Sequence, residues 1–175
     1  MTKSEKIIKS SLEFAKVNNK IVWYQKIDQA IFGGQNAGGF NRGSAPLDFI
    51  LIDGKGKLCA IEVKECQGLN FNIKSRISEL QKELLTKCDK VYLIVMFYNN
   101  KSISTNSKDY FEYWRMWDTN NFSGSLNLGY KSLSPTDLNA IYLAQIENGI
   151  KENIGIEYGL SSGAGNKEKG IKLFS

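Results

Sequence analysis

The segment GSAPLDFILIDGKGKLCAIEVKE, residues 43–65, carries charged side chains where a plain core strand would carry apolar ones. Its pattern predicts two hydrophobic strands, at about residues 47–53 and 57–65, joined by a Gly-Lys-Gly turn that is short enough for a hairpin. Successive side chains of a strand point to opposite faces, so Glu62 and Lys64 are expected side by side on one face. This pair is the first candidate for chemistry in the chain.

A second acidic residue is expected beside this pair. If the hairpin turns on Lys55, residues whose numbers sum to about 110 face each other, and Asp48 then lies opposite Glu62. Two opposed carboxylates repel each other, so such a pair is typical of a site where a cation or a proton neutralises them. Oxygen ligands favour magnesium or manganese over zinc or copper. Beside such a cation the ammonium form of Lys64 would be disfavoured, and Lys64 could then orient or deprotonate a water that attacks a phosphodiester.

The same residues also have a simpler interpretation. Glu62 and Lys64 could form a solvated ion pair, because polar residues on the outer face of a strand are ordinary. Asp53 precedes a tight turn and is typical of turn formation, and Glu65 is expected on the opposite side of its strand. Neither Asp53 nor Glu65 is therefore assigned to the site.

The composition narrows the possible chemistry. The chain has no histidine, which excludes Ser-His-Asp and Cys-His catalysis, histidine general bases and histidine-ligated zinc. Three cysteines without a C-x-x-C pair predict reduced thiols and a cytoplasmic location. The amino-terminal sequence lacks the apolar run of a signal peptide, and no stretch approaches the roughly 20 apolar residues of a membrane span. We therefore expect a soluble protein with no membrane partner.

The charge indicates a class of partner. A net charge of +5 and a pI near 9.0 suit a polyanion such as DNA without requiring one. Among the 23 basic residues only Arg42, Arg76 and Arg115 are arginines. A surface rich in lysine favours nonspecific phosphate contacts over bidentate reading of guanine edges.

One compact domain is expected for 175 residues with 42% hydrophobic content, and no internal repeat or composition shift indicates a second. The hydrophobic pattern predicts a helix over about residues 5–18 with Ser4 as its cap, a strand at 20–27 and a helix over about 74–87. The helix at 74–87 would bury Ile77, Leu80, Leu84 and Leu85. The nearly continuous hydrophobic run at 90–98 is typical of a strand covered on both faces.

Other segments are predicted as irregular or are ambiguous. Residues 109–118 fit a strand or a short helix, and residues 134–150 fit a helix with Ser134 as its cap. The tail at 159–170 is expected to be loose. The glycine-rich segment at 32–45 matches no phosphate-binding loop and is predicted to be flexible, with ordering on a ligand as the alternative.

Glu5 and the aromatic residues each have two interpretations. Glu5 falls on the same helical face as Ile8, Leu12 and Ala15, so its carboxylate is expected to lean toward the interior, whereas Glu13 points away. An acid in the first helical turn also suits the helix dipole. The aromatic residues near the predicted strands are expected to fill the core, with base stacking as the alternative. They are Trp23, Tyr110, Phe111, Tyr113, Trp114 and Trp117.

These residues together resemble the motif of the PD-(D/E)xK nuclease superfamily. Its members carry an acid at a strand start, then a hairpin, then Glu-x-Lys on the next strand. Many also have a glutamate in the first helix and a glutamine on the helix after the motif. The departure here is one residue between the proline and the acid, which is common in the superfamily. The matching residues are Glu5, Pro46-Leu47-Asp48, Glu62-Val63-Lys64 and Gln81.

Within this superfamily the layout over about residues 4–118 is most similar to RecU-type and archaeal Holliday junction resolvases. The likeness rests on LEFAKVNNKIV before the motif and on SELQKELL, KVYLIVMFY and YFEYWRMW after it. It implies an α/β fold with a restriction-endonuclease-like mixed central sheet flanked by helices. Residues 119–175 have no counterpart and are taken as a carboxyl-terminal extension of the single domain at 1–175, with one helix and a flexible tail.

The resemblance also implies a site. Magnesium, which manganese can replace, would be held by Asp48, Glu62 and the carbonyl of Val63, and Lys64 would act on the attacking water. Glu5 would support this site or help to bind a second ion. Gln81 would orient the water or the lysine, although a plain helix-surface glutamine is the alternative. Resolvases of this kind are homodimers, so a homodimer acting on DNA is implied.

Three functions remain open from the sequence. The first is a metal-dependent DNA endonuclease that is selective for branched structures. The second is a sequence-specific restriction or homing endonuclease on the same core, with base contacts from residues 33–43 and 119–175. The third is a noncatalytic DNA-binding domain in which Lys64 contacts phosphate. The presence of all the expected catalytic side chains argues against the third function.

Overall fold

The computed structural model describes residues 1–27, 46–99, 106–143, 145–146 and 170–171. The predicted segments at 32–45 and 159–170 lie outside the described residues, except for Gly170, which lies in a short strand. The elements in chain order are α1 (Lys3–Val17), β1 (Ile21–Lys26), β2 (Phe49–Asp53), β3 (Leu58–Gln67), β4 (Phe71–Asn72), α2 (Ile73–Arg76), α3 (Glu79–Lys87), β5 (Val91–Tyr98), β6 (Glu112–Trp117), α4 (Thr119–Asn127), β7 (Ser132–Leu133), β8 (Ile141–Leu143), β9 (Gln145–Ile146) and β10 (Gly170–Ile171).

Six of the strands form a mixed central sheet in the order β1-β2-β3-β5-β6-β8. Strands β3 and β5 are parallel, and every other neighbouring pair in this sheet is antiparallel. Parallel neighbours require a crossover connection, which here contains β4, α2 and α3. The α/β architecture predicted from the sequence, a mixed sheet flanked by helices, is confirmed at this level.

The hairpin of β2 and β3 has the predicted register. Phe49 pairs with Ile61 and Ile50 pairs with Ala60, so the paired residue numbers have the expected constant sum. The turn is fixed by Asp53, whose Oδ1 accepts hydrogen bonds from the backbone N–H groups of Lys55 and Lys57 at 2.8 and 2.9 Å. The prediction that Asp53 serves the turn is confirmed.

Helices cover both faces of the sheet. Helix α1 packs its buried stripe on one face, against the side chains of Cys59, Ile61 and Val63. On the other face, Leu85 of α3 and Phe122 of α4 pack against β5. Strand β5 is therefore buried on both sides, as predicted. The stripe of Ile8, Leu12 and Ala15 is also confirmed, since each is fully buried.

Two predicted helix boundaries need correction. Helix α1 begins at Lys3 with Thr2 as its cap, whereas Ser4, the predicted cap, is buried inside the first turn. The helix predicted over 74–87 is two helices, because Ser78 begins α3 with a capping box.

The restart at Ser78 also changes the predicted buried face. Leu80 is 53% exposed, so its predicted burial is wrong. Ile77 and Leu85 are buried as predicted, and Leu84 is partly buried.

The helix predicted over 134–150 is wrong within the described residues. Residues 134–140 form a turn region, and Ile141–Leu143 form strand β8 beside β6. Among the described residues of the extension, the helix is α4, which lies earlier in the chain. The physical reason is the buried carboxylate of Asp137, which accepts hydrogen bonds from Trp117 Nε1, Ser125 Oγ and the backbone N–H of Asn139. These bonds hold residues 134–140 in a turn whose backbone conformation is not that of a helix.

We expect Asp137→Ala to lower the free energy of unfolding by about 3 kcal/mol, because three donors, two of them on buried side chains, lose their acceptor. Urea unfolding measures this effect. Ser134→Ala is the control, since the Ser134 hydroxyl forms a hydrogen bond with the exposed Thr136, and it should change stability by less than about 0.5 kcal/mol. A cost of about 1 kcal/mol for Ser134→Ala would instead indicate the cap of a helix.

The aromatic residues divide between core and surface. Trp114 and Trp117 are fully buried, which confirms the prediction of core packing for these two. Trp23 and Tyr113 are 37% and 41% exposed, so the prediction is wrong for them. Residues 109–118 were predicted as either a strand or a short helix, and the structure contains a strand at Glu112–Trp117. None of the helices in the described part of the chain is long and apolar enough to cross a membrane.

Candidate active site

The sequence-predicted residues meet in one open cleft of about 620 Å³ beside the end of the β2–β3 hairpin. Asp48 precedes β2, and Glu62 and Lys64 lie on β3. Glu62 packs on the face of the sheet that α3 covers. The cleft is lined by Thr2, Glu5, Asp48, Glu62, Val63, Lys64, Glu65, Lys74, Ser75, Arg76, Ile77, Ser78 and Gln81. All five predicted side chains therefore border the same space.

Asp48 is held by the backbone of β3. Its N–H donates to the carbonyl of Ile61 at 3.0 Å, and its Oδ2 accepts the N–H of Val63 at 2.8 Å. Strand β2 begins one residue later, at Phe49. The Asp48 carboxylate therefore accepts the Val63 N–H in place of a backbone carbonyl of a paired strand. Burial raises the pKa of Asp48, the Val63 N–H lowers it, and the charge of Glu5 raises it further. The net direction of the pKa is upward, chiefly because burial disfavours the ionised carboxylate.

Glu62 is buried, with 2% of its surface exposed. Its Oε1 accepts hydrogen bonds from Gln81 Nε2 at 2.7 Å and from Lys64 Nζ at 2.6 Å. Among the described residues, its Oε2 is the single buried side-chain oxygen or nitrogen without a hydrogen-bond partner. Burial and then the charge of Asp48 raise the pKa of Glu62 to about 7, against the opposing effect of Lys64. The structure thus contains a buried carboxylate with one unsatisfied oxygen.

Lys64 links this buried acid to the cleft. Its side chain is 23% exposed and that of Glu62 is 3% exposed. The alternative of a solvated surface pair is therefore wrong, because one member of the pair is out of contact with water. Lys64 compensates part of the charge of Glu62, so removing the lysine would leave this buried carboxylate without its cation.

Gln81 joins the helix to the site. Its Oε1 accepts the N–H of Ser78 in the capping box of α3, and its Nε2 donates to Glu62. The residue is buried, so the alternative of a plain helix-surface glutamine is wrong. Both ends of one side-chain amide are used, and this fixes the Glu62 carboxylate relative to α3.

We expect Gln81→Glu to retain the helix and damage the site. Glutamate can replace glutamine in a capping box, and an acid in the first turn suits the helix dipole. It cannot donate to Glu62 when ionised, and it adds repulsion there. The metal-dependent cleavage activity that the family resemblance implies should fall by about tenfold to a hundredfold, with little change in helicity by circular dichroism. Glu79→Gln, an exposed change in the same turn, should leave that activity unaltered.

Glu5 lies near the two acids but is engaged elsewhere. Its carboxylate forms an ion pair with Lys26 Nζ at 3.1 Å, and its side chain is 14% exposed. The prediction that Glu5 leans inward and Glu13 outward is confirmed, since Glu13 is exposed. Within the described residues, no group of three or more acidic or thiol side chains is arranged to hold a metal ion. In this arrangement Glu5 acts on Asp48 through its charge.

The Val63 carbonyl has a position compatible with its predicted role. In an extended residue the N–H and the C=O point to the same side of the strand. The Val63 N–H meets Asp48, so its carbonyl also points toward the Asp48 side. Two carboxylates and one carbonyl therefore border the same part of the cleft.

Several residues of the cleft were not predicted. Glu65 lies on the α1 face of β3, where its Oε1 accepts the N–H of Ser4 at 2.8 Å and serves the amino end of α1. Arg76 donates to the carbonyl of Glu65 at 2.6 Å. Lys74 and Arg76 line the cleft, and they could be placed only once the crossover between β3 and β5 was known. Lys26 does not line the cleft but pairs with Glu5, and it could be placed only from the β1–β2 pairing. Sequence spacing alone carried no signal for them.

Comparison with known proteins adds no family assignment. No protein-family model matches the chain, and no curated protein matches it significantly.

Proposed function

We propose that this protein is a metal-dependent DNA endonuclease with a restriction-endonuclease-like core, related to the PD-(D/E)xK nucleases. One observation carries the proposal. Asp48 and Glu62, both with raised pKa values, meet in an open cleft next to the ammonium group of Lys64, and one buried oxygen of Glu62 has no partner among the described residues. The resemblance of the sequence to the nuclease motif supports the same function.

The donor set is compatible with a divalent cation. Magnesium and manganese prefer carboxylate, carbonyl and water oxygens, and these are what Asp48, Glu62 and the Val63 carbonyl would provide. Burial and then the charge of Asp48 raise the pKa of Glu62, and a cation would relieve the repulsion between the two carboxylates. When bound, it would supply Lewis-acid stabilisation of the charge that develops on a phosphodiester during hydrolysis.

The side chains of the protein would contribute binding and orientation. Glu62 holds the Lys64 ammonium at 2.6 Å, so Lys64 is placed as a proton donor at the border of the cleft. There it could hydrogen-bond a phosphate oxygen or orient the attacking water. Gln81, on helix α3, holds the Glu62 carboxylate in position through a hydrogen bond from its Nε2. The lysines and the arginine that line the cleft would attract a phosphate backbone.

The substrate we favour is branched DNA, as for a Holliday junction resolvase, bound by a homodimer. The scarcity of arginine argues against extensive base reading, which would serve the alternative, a sequence-specific restriction or homing endonuclease. We place the protein in the cytoplasm, where its three free cysteines would remain reduced. A noncatalytic DNA-binding domain is the third candidate.

The test is a cleavage assay with four-way junction, nicked, single-stranded and duplex DNA, with and without magnesium. Magnesium-dependent cutting of the junction is expected. Discrete fragments from linear duplex beside intact junctions would favour the sequence-specific enzyme. Lys64→Ala should abolish cutting and retain DNA binding in calcium. Equal cutting by Lys64→Ala and the parent would contradict the assigned site, and DNA binding without any cutting would indicate the noncatalytic domain.

A further inference from the structure

A second groove, which the proposed mechanism does not use, lies beside the candidate active site. It has a volume of about 760 Å³ and an apolar lining from Ile73, Ile77 and Leu126. Tyr130 also lines it, with 37% of its surface exposed. An aromatic ring beside an apolar lining is a surface on which a flat heterocycle can stack.

The edge of this groove is basic. Lys74, Lys82 and Lys131 line it against a single acid, Glu79. Within the described part of the chain, none of these three lysines is in an ion pair. The groove therefore combines an apolar lining with unneutralised positive charge, which is the combination that binds nucleotides of a single strand.

The groove adjoins the active-site cleft. Lys74, Ser75 and Ile77 line both spaces, since they belong to α2 and the short segment after it. A strand whose phosphate lies near Asp48 and Glu62 can thus extend past Lys74 into the groove.

Backbone hydrogen bonds hold the walls of the groove together. Ile73 N–H donates to the carbonyl of Lys131 at 3.0 Å, and β4 pairs with β7 next to this bond. The N–H of Tyr130 donates to the carbonyl of Ser125 at 3.1 Å, just after the end of α4. Tyr130 is therefore placed by the fold before any ligand binds.

We propose that this groove binds one unpaired nucleotide of the DNA strand held at the active site, with its base stacked on Tyr130 and its flanking phosphates near Lys74 and Lys131. The inference rests on the proposed nuclease function and adds that one nucleotide close to the cut is unpaired when the branched DNA is bound. A base within a duplex is already stacked and paired, so it would have to be extruded before it could enter.

The test measures binding without cleavage. A short single-stranded oligonucleotide with a fluorescein label, and its blunt duplex, are titrated in EDTA with the full chain and monitored by fluorescence anisotropy. Tyr130→Leu should weaken binding of the single strand by about fivefold or more, and Tyr130→Phe should retain it. Binding of the duplex should change less than twofold. Tyr113→Leu is the matched control, because Tyr113 is also exposed but lies on β6.

The outcomes separate this inference from the proposed function. Equal single-strand binding by Tyr130→Leu and the parent, with magnesium-dependent cutting intact, would contradict nucleotide binding in the groove. The proposed nuclease function would be unaffected. If only Tyr130→Leu lost single-strand binding and the protein did not cut any DNA, nucleotide binding in the groove would be supported and the nuclease function contradicted. An equal loss in Tyr113→Leu would also overturn the assignment to this groove.

Discussion

Asp48→Asn is expected to lower magnesium-dependent DNA cleavage by at least about a thousandfold while the protein remains folded. The asparagine oxygen can still accept the N–H of Val63, so the backbone contact that places residue 48 survives. What disappears is the negative charge that would hold the cation, and metal-assisted stabilisation is worth several kcal/mol of the activation barrier. Initial rates on a labelled junction measure the effect.

Asp53→Asn is the matched control for this change. Asp53 also accepts backbone N–H groups, but it lies at the turn, at the opposite end of the hairpin from Asp48. Its substitution should leave the cleavage rate within about twofold of the parent. Equal rates for Asp48→Asn and the parent would contradict the assignment of Asp48 as a ligand.

Glu62→Gln is expected to stabilise the metal-free protein at pH 8 by about 2–3 kcal/mol and to abolish cleavage. The pKa of Glu62 is raised to about 7 in the folded state, from its ordinary value of 4.5. The folded state therefore binds this proton more tightly than the unfolded state does. As a result, the free energy of unfolding falls as the pH rises from about 4.5 to about 7, and the loss is complete above that range.

A glutamine at position 62 removes the ionised form and keeps the contacts. Its carbonyl oxygen can accept from Gln81 and Lys64, and its amide can donate toward Asp48. Thermal unfolding in EDTA at pH 5 and pH 8 measures the change, which should be large only at pH 8. Glu65→Gln, on the opposite face of β3, is the control. A parent whose stability does not fall between these pH values would contradict the raised pKa.

The site was predictable because it depends on local rules. Side-chain alternation in β3 and the turn at Asp53 are enough to fix which residues of the hairpin face each other. Asp48, Glu62 and Lys64 could therefore be placed without knowledge of the rest of the fold. Gln81 lies one helix away, and its place was indicated by the family resemblance alone. The helix start at Ser78, which fixes its position, was not predicted.

The carboxyl-terminal part was mispredicted because tertiary contacts override local propensity there. Helix α4 contains Gly124 and three asparagines, a composition that does not favour a helix. Burial of Phe122 and Ser125 stabilises it instead. A Cβ at Gly124 would lie 3.0 Å from Asn139 Oδ1, so the small residue lets the following turn approach the helix. Neither contact can be read from spacing.

The hydrogen bond from Val63 to Asp48 bears on how an ion would enter. Asp48 is anchored by the strand backbone and Glu62 by a helix and a lysine, so both acids have given up their rotational freedom during folding. A cation that arrives later would have little conformational entropy left to remove. Its binding would change the charge of the cleft far more than its shape, so the folded protein would serve as a preorganised receptor for such an ion.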